Sequence, residues 1–196
     1  PAIALGVADR VVDELLAIFP SDHFIENDAE FNSILKKNKK FVSHKNYWNK
    51  KDIILFGIKP HYPSEQYGYF LSEKKNRGIS KVKKFIEKPN FSKAKKIIDE
   101  GGYWNSGMLF GTAEAFKNSF MKHDPKTWGY CFKSLLKEKY NNKYNSNKIE
   151  IKANKKIFKK IRGRSFDYAV LEKYNYVKGI KLDIDWTDLG NWFEIL

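Results

Sequence analysis

The sequence is poor in the residues that mark several common chemistries. One cysteine among 196 residues excludes an intramolecular disulfide framework, and Cys131 alone fits a reducing compartment. Apolar runs are brief. None approaches the ~18 residues a membrane helix needs, and Leu15-Leu16-Ala17-Ile18-Phe19 is among the longest. The first residues show no signal-peptide pattern. Walker, G-x-G-x-x-G and G-x-S-x-G motifs are all missing. The histidines His23, His44, His61 and His123 lie far apart, and no Cys/His spacing suits zinc. Asp183-x-Asp185 opens like a calcium loop, but Asp188 stands where that loop needs its sixth-position glycine.

What is present is a chain able to build a core, at 42% hydrophobic and 16% aromatic residues. A formal charge of +14 raises nucleic-acid binding. The lysines are instead spread in pairs such as Lys36-Lys37, Lys74-Lys75 and Lys159-Lys160, with the strongest bias from Lys137 to Lys160. That pattern describes a solvated surface, and no helix-turn-helix, zinc-finger or RNP-type pattern supports a basic nucleic-acid-binding module. No specific nucleic-acid binding and no membrane contact are expected. The apolar ends, Pro1-Ala2-Ile3-Ala4-Leu5 and Trp192-Phe193-Glu194-Ile195-Leu196, lead us to expect that residues 1–196 are part of a larger domain.

Strand-like and helix-like segments alternate, the mark of an α/β fold. Leu15 to Phe19 reads as a strand buried on both faces of a parallel sheet, and Ile53 to Ile58 as a second. Asn27 and Glu30 suggest a capping box ahead of Phe31, Ile34 and Leu35. Val82 to Glu87 reads as a strand stopped by Pro89, then a short helix with Phe91, Ala94, Ile97 and Ile98 inward, ending at Gly101-Gly102. Trp104 to Phe110 is strand-like, Ala113 to Met121 and Thr127 to Tyr140 helical, and Ser165 a cap over Phe166, Ala169 and Val170. Ile180, Leu182, Ile184 and Trp186 alternate with polar residues, as in one half-buried strand.

Polar residues cluster where these strands end. Asp22 follows the first strand and Asp188 the last, and two carboxylates meeting at one sheet edge would suit Mg²⁺ together with substrate phosphates. Taken singly, each acid reads first as a loop cap or turn residue. Glu87-Lys88-Pro89 sets a hydroxyl acceptor beside a phosphate donor on one rigid turn, though singly it is a charged strand end. Asn105 places an amide inside an apolar run and needs a partner, from backbone or ligand. Gly68, between two tyrosines, marks a bulge or a close backbone approach.

In this order the pieces PAIAL, FPSDHFI, FGIKPHYP with YGYF, FIEKP, GGYWNSGM, SFDYAVLEK and WTDLGNW resemble the mannose-1-phosphate guanylyltransferases (GDP-mannose pyrophosphorylases), in bacterial monofunctional or isomerase-fused form. The resemblance runs almost end to end, and WNSG, DYAVLEK and W-[ST]-D-x-G-x-W are its most specific parts. It implies a Rossmann-like nucleotidyltransferase sheet with helices on both faces, here truncated at both ends. It also implies a cytoplasmic transferase of GDP-mannose and polysaccharide biosynthesis. Such an enzyme moves GMP from GTP to mannose 1-phosphate, with Mg²⁺, by in-line attack of the sugar phosphate. Asp22 and Asp188 would then hold the metal, Glu87 the sugar hydroxyls and Lys88 the sugar phosphate, with Asn105 and Gly68 completing the pocket. Asp167 and Glu172 match a family motif without an assigned role. The family's N-terminal Gly-rich loop is expected upstream of Pro1, so the 196 residues alone are expected to be inactive. Ser64-Glu65-Gln66 stands where the family has Glu-Thr-Gly. A sister thymidylyl- or uridylyltransferase, or a metal-dependent glycosyltransferase using Asp183-x-Asp185, are the alternatives; a homo-oligomer and a following isomerase domain stay open.

Overall fold

The computed structural model describes residues 1–43, 49–73, 78–141 and 153–190. His44, Lys74-Lys75, residues 142–152 of the lysine-rich segment, and Trp192-Phe193-Glu194-Ile195-Leu196 lie outside them. The chain divides into two compact units: residues 1–16 with 112–175, and residues 17–111 with 176–196.

The first unit is helical. Helix α1 (Ala2–Ala8) packs on α4 (Ala113–His123) and α5 (Pro125–Asn141), and α6 (Lys155–Phe158) packs on α5. Side-chain oxygens start α4 and α6: Thr112 Oγ1 accepts from the Ala115 N–H and Asn154 Oδ1 from the Ile157 N–H, satisfying donors a helix leaves bare at its first turn. Phe116 and Phe120 meet Phe166 at ring distances of 5.9 and 5.1 Å, in a core shared with Ala4, Val7 and Cys131. The Ser165 cap is present, its Oγ accepting from the Tyr168 N–H. The helix it opens is a single π-turn, Asp167–Leu171, which turns Ala169, Val170 and Leu171 inward in five residues. Asp167 and Glu172 belong to this turn and its end.

The second unit carries a six-stranded sheet and a small ribbon, except that Leu15-Leu16 of the first strand and Thr112 of the sixth fall within the first unit's residues. The strands are β1 (Leu15–Ile18), β3 (Ile53–Ile58), β4 (Gly68–Ser72), β5 (Ser80–Ile86), β6 (Tyr103–Thr112) and β7 (Val177–Leu182), in the order β1-β6-β3-β7-β5-β4, with β6 also pairing β4. β3 runs parallel to β7, whereas β3–β6, β4–β5, β4–β6 and β5–β7 are antiparallel. The sheet is therefore mixed, not parallel. As expected, β3 is buried at every position, since it lies between β6 and β7.

Two strand expectations need correction. The Leu15–Phe19 run forms an edge strand, half-buried at Leu15, Leu16 and Ile18, with Phe19 45% exposed; having a neighbour on one side, it is not sandwiched. The alternating run from Ile180 to Trp186 is two strands. β7 ends at Leu182, and after Asp183-Ile184-Asp185 a separate β8 (Trp186–Asp188) pairs antiparallel with β2 (His23–Ile25).

Elsewhere the local signals hold. Asn27 Oδ1 accepts from the Glu30 N–H while its own amide donates to Glu30, capping α2 (Asp28–Ser43). Asn90 caps α3 (Phe91–Asp99), which buries Ala94 and Ile97 but leaves Phe91 58% exposed. The Ser64-Glu65-Gln66 segment is fastened from three sides. Tyr69 Oη donates to the Ser64 carbonyl at 2.8 Å, Ser64 Oγ accepts from the Gln66 N–H, and Glu65 accepts from the Phe91 N–H at 2.8 Å. Among the described residues no helix is long and apolar enough to cross a membrane.

Candidate active site

Strand register assembles one half of the site. Gly68 of β4 pairs with Asn105 of β6, which in turn faces Gly57 of β3. On the other side of β4, Tyr69 pairs with Ile86, so Glu87 comes level with Gly68. Glu87, Gly68 and Asn105 thus form a row across three strands. A Cβ on Gly68 would stand 2.5 Å from Glu87 Oε2, 3.1 Å from Phe85 and 3.5 Å from Asn105 Cβ. The glycine is what leaves room for the carboxylate. Asn105 is buried, and its Oδ1 accepts from the Gly107 N–H at 3.3 Å.

Lys88 follows directly, exposed, with φ of 44°. It is the one non-glycine residue with positive φ among the described residues. A side chain pays for that backbone in Cβ–carbonyl crowding, and such strain is kept where surrounding structure over-determines it. Here β5 on one side and buried Pro89 on the other fix the path.

The ribbon assembles the other half. His23 pairs with Asp188 and Ile25 with Trp186, and the Leu189 N–H donates to the Asp22 carbonyl at 2.8 Å. Asp22, His23 and Asp188 each bring one ligand atom within 4.8 Å of the others, the one such metal-compatible group among the described residues. The two acids predicted for one sheet edge do meet, but on the β2–β8 ribbon. Gly190 closes the group from below, its N–H donating to Asp188 Oδ1 at 2.9 Å; a Cβ there would lie 2.7 Å from Asp22 Oδ2.

His23 is the member that sequence reasoning missed. Its adjacency to Asp22 was the available signal, but spacing rules for zinc look for repeated Cys and His, not for a His paired across a ribbon. Trp186 Nε1–H donates to His23 Nδ1 at 3.2 Å, and the rings meet edge-on at 88°. Burial lowers the His23 pKa below the ordinary histidine value, while Asp188 and Asp22 act in the opposite direction.

The halves are joined by β6 and by aromatic packing. Gly107, two residues after Asn105, places its backbone against Pro20 and His23. Trp186 meets Tyr67 at 5.4 Å, and Tyr67 meets Trp104 at 4.9 Å, directly beside Gly68. Asp183 and Asp185, the D-x-D alternative, instead line a cavity of about 750 Å³ with Glu26, Asp28, Lys59 and His61.

A model described as nucleotidyl transferase matches residues 1–196. The chain is 32% identical to alginate biosynthesis protein AlgA of Pseudomonas aeruginosa, over 100% of this chain and 40% of that protein. It is 30% identical to mannose-1-phosphate guanylyltransferase of Escherichia coli, over 99% of this chain and 40% of that protein. The chain therefore spans about 40% of the length of the curated relatives it matches. A crystal structure described as mannose-6-phosphate isomerase from Helicobacter pylori superposes with a TM-score of 0.78 and 29% identity, over 95% of this chain and 69% of that one. One described as mannose-1-phosphate geranyltransferase from Thermus thermophilus gives 0.76 at 22% identity, over 97% and 52%, a likeness of fold.

Proposed function

The chain belongs to the nucleotidyl transferase family, and from that premise we propose that its parent protein transfers GMP from GTP to mannose 1-phosphate, giving GDP-mannose and pyrophosphate. The observation that carries this reading is the near-complete alignment of the chain with the mannose-1-phosphate guanylyltransferase of Escherichia coli. A cytoplasmic reaction accords with the one cysteine, which is a free and buried thiol.

The reaction asks little covalent chemistry of the protein. An oxygen of the sugar phosphate forms a bond to the α-phosphorus of GTP as the bond to pyrophosphate breaks, so no protein nucleophile is required. Catalysis is positioning and charge neutralisation. Glu87 accepts hydrogen bonds from sugar hydroxyls, and Gly68 leaves the space in which its carboxylate stands. Lys88, held exposed by its constrained backbone, pairs with the sugar phosphate. Asn105 offers its amide to the same pocket from the neighbouring strand.

Asp22 and Asp188 fit Mg²⁺: they are hard oxygen donors whose ligand atoms converge, and Mg²⁺ commonly takes one or two carboxylates with substrate phosphates. When bound there, Mg²⁺ supplies positive charge to the triphosphate and orients it. The two aspartates hold and orient that charge, and Gly190, through its N–H on Asp188, fixes one of them.

The test is pyrophosphate release by the full-length parent with mannose 1-phosphate, Mg²⁺ and each nucleoside triphosphate in turn. GTP should be preferred, and Asp22→Asn and Asp188→Asn should each lower kcat by at least about 100-fold. Preference for UTP or dTTP would overturn the guanylyl assignment. Loss of metal dependence in Asp183→Asn, with Asp22→Asn active, would favour the glycosyltransferase reading.

A further inference from the structure

We propose that Trp186 is a positioning residue that locks His23 in the Nε2–H tautomer and so keeps it out of the coordination sphere of a divalent cation held by Asp22 and Asp188. This rests on the metal-site reading above. Three groups converge, and by distance alone His23 would be counted a third ligand. The hydrogen bond from Trp186 says otherwise. An indole N–H can only donate, so His23 Nδ1 must present its lone pair to it, at 3.2 Å. A neutral imidazole then carries its single hydrogen on Nε2. Metal coordination needs a free lone pair. One nitrogen has given its lone pair to the indole and the other bears hydrogen, so neither can bind the metal while this contact persists.

The contact is well held. Trp186 is fixed by register to Ile25 and packs at 5.4 Å on Tyr67, which is itself buried and packed on Trp104. The His23 ring has the Gly107 backbone close to its Cε1, where a Cβ would stand at 3.7 Å. The two rings lie nearly perpendicular, at 88° with centroids 5.1 Å apart, a favourable aromatic arrangement that adds to the hydrogen bond.

The chemical consequence is selectivity. A site with two carboxylates as its protein ligands suits Mg²⁺ and Mn²⁺, whereas adding an imidazole moves preference toward Zn²⁺, Co²⁺ and Ni²⁺. Trp186 therefore keeps the site hard. It also leaves the Nε2 hydrogen as a donor, suited to a carboxylate or phosphate oxygen rather than to a cation.

Two measurements on the full-length parent test this. Long-range ¹H–¹⁵N spectra of the metal-free protein should show His23 unprotonated at Nδ1 and protonated at Nε2; the opposite tautomer would overturn the proposal. Mn²⁺ bound to protein labelled with ¹⁵N-histidine should give pulsed EPR spectra with no directly coordinated histidine nitrogen. A directly bound His23 nitrogen in the wild type would overturn it as well. Trp186→Phe should mix the tautomers and raise Zn²⁺ affinity relative to Mg²⁺ by about tenfold; an unchanged tautomer in that variant would also count against Trp186. The wild-type spectra decide the matter even if the variant folds poorly. Mn²⁺ binding that survives both Asp22→Asn and Asp188→Asn would instead overturn the metal-site reading, and the metal-free spectrum would still decide the tautomer.

Discussion

Replacing Gly68 by alanine should act through Glu87. The new Cβ would stand 2.5 Å from Glu87 Oε2. Carbon and oxygen rest no closer than about 3.3 Å, so the carboxylate must retreat by about 0.8 Å. Because the atom displaced is the tip of a side chain, it can move, at a rotamer cost of about 0.5–1.5 kcal/mol. Phe85 at 3.1 Å and Asn105 Cβ at 3.5 Å add a smaller, steadier crowding. In a Glu87→Ala background the larger clash is gone, while the intrinsic glycine-to-alanine difference stays and cancels in the cycle. Urea melts of the four proteins should therefore show a coupling of about 1 kcal/mol, with Gly68→Ala less harmful when Glu87 is already absent. Kinetics give an independent readout. A charged hydrogen bond to a sugar hydroxyl is worth about 1.5–3 kcal/mol, so either single variant should raise KM for the sugar phosphate at least tenfold, and the double variant little further. Additivity of the stability effects within about 0.5 kcal/mol, with KM unchanged in Gly68→Ala, would refute the idea that the glycine exists to seat this carboxylate.

The strain at Lys88 predicts an inversion of the usual ranking. Left-handed backbone disfavours a side chain by about 1–2 kcal/mol and glycine gives back about 0.5–1 in chain entropy, so Lys88→Gly should be more stable than Lys88→Ala by roughly 0.5–1 kcal/mol in urea, with both inactive. Asp52 is buried, paired with Lys178 at 2.7 Å and accepting from the Asn49 N–H at 3.0 Å. Lys178→Met strands that carboxylate and should destabilise by about 3 kcal/mol, recovered in part by adding Asp52→Asn. His123 is held below the ordinary histidine pKa, first by burial and then by Lys122 and Lys173. A depressed histidine contributes stability that is full above the unfolded value of about 6.5 and is lost as pH falls through the folded one. Denaturant midpoints should thus drop on acidification from about pH 7 to 5, less steeply in His123→Asn; an identical slope would remove His123 as a cause. Burial likewise raises the Cys131 pKa, and Cys131 is fully inaccessible, so native protein should resist alkylation by iodoacetamide until unfolded.

Local signals carried most of the secondary structure. The Asn27–Glu30 and Ser165 caps, the Pro89 stop and the β3 run are each written in a few adjacent residues. What such residues cannot convey is how many neighbours a strand acquires. Leu15 to Phe19 has the same apolar density as Ile53 to Ile58, yet one lies at an edge and the other in the centre. The break between β7 and β8 was equally hidden, because Ile184 continues the alternation through a segment that leaves the sheet. At the candidate site, Asp22, Asp188 and Glu87 were legible as polar residues at strand ends and Asn105 as an amide inside an apolar run. Their grouping was not, since it follows from register: His23 opposite Asp188, and Gly68 between Asn105 and the level of Glu87. Trp186 read as core spacing, and only its indole N–H on His23 reveals a polar task.

The β2–β8 ribbon also bears on the order of events at birth. Its two strands join residues 163 positions apart, as the Trp186–His23 bond measures. Closing such a span costs roughly 2.5 kcal/mol more than a 10-residue hairpin in chain entropy, with no turn to guide it. At a synthesis rate of about 5–20 residues per second, Asp22 waits on the order of 10–30 s for Asp188 to be made. Any nascent chain that has not reached the ribbon's second strand therefore displays a lone aspartate, without its partner acid. The two acids therefore meet late, and only through the pairing of these two short strands.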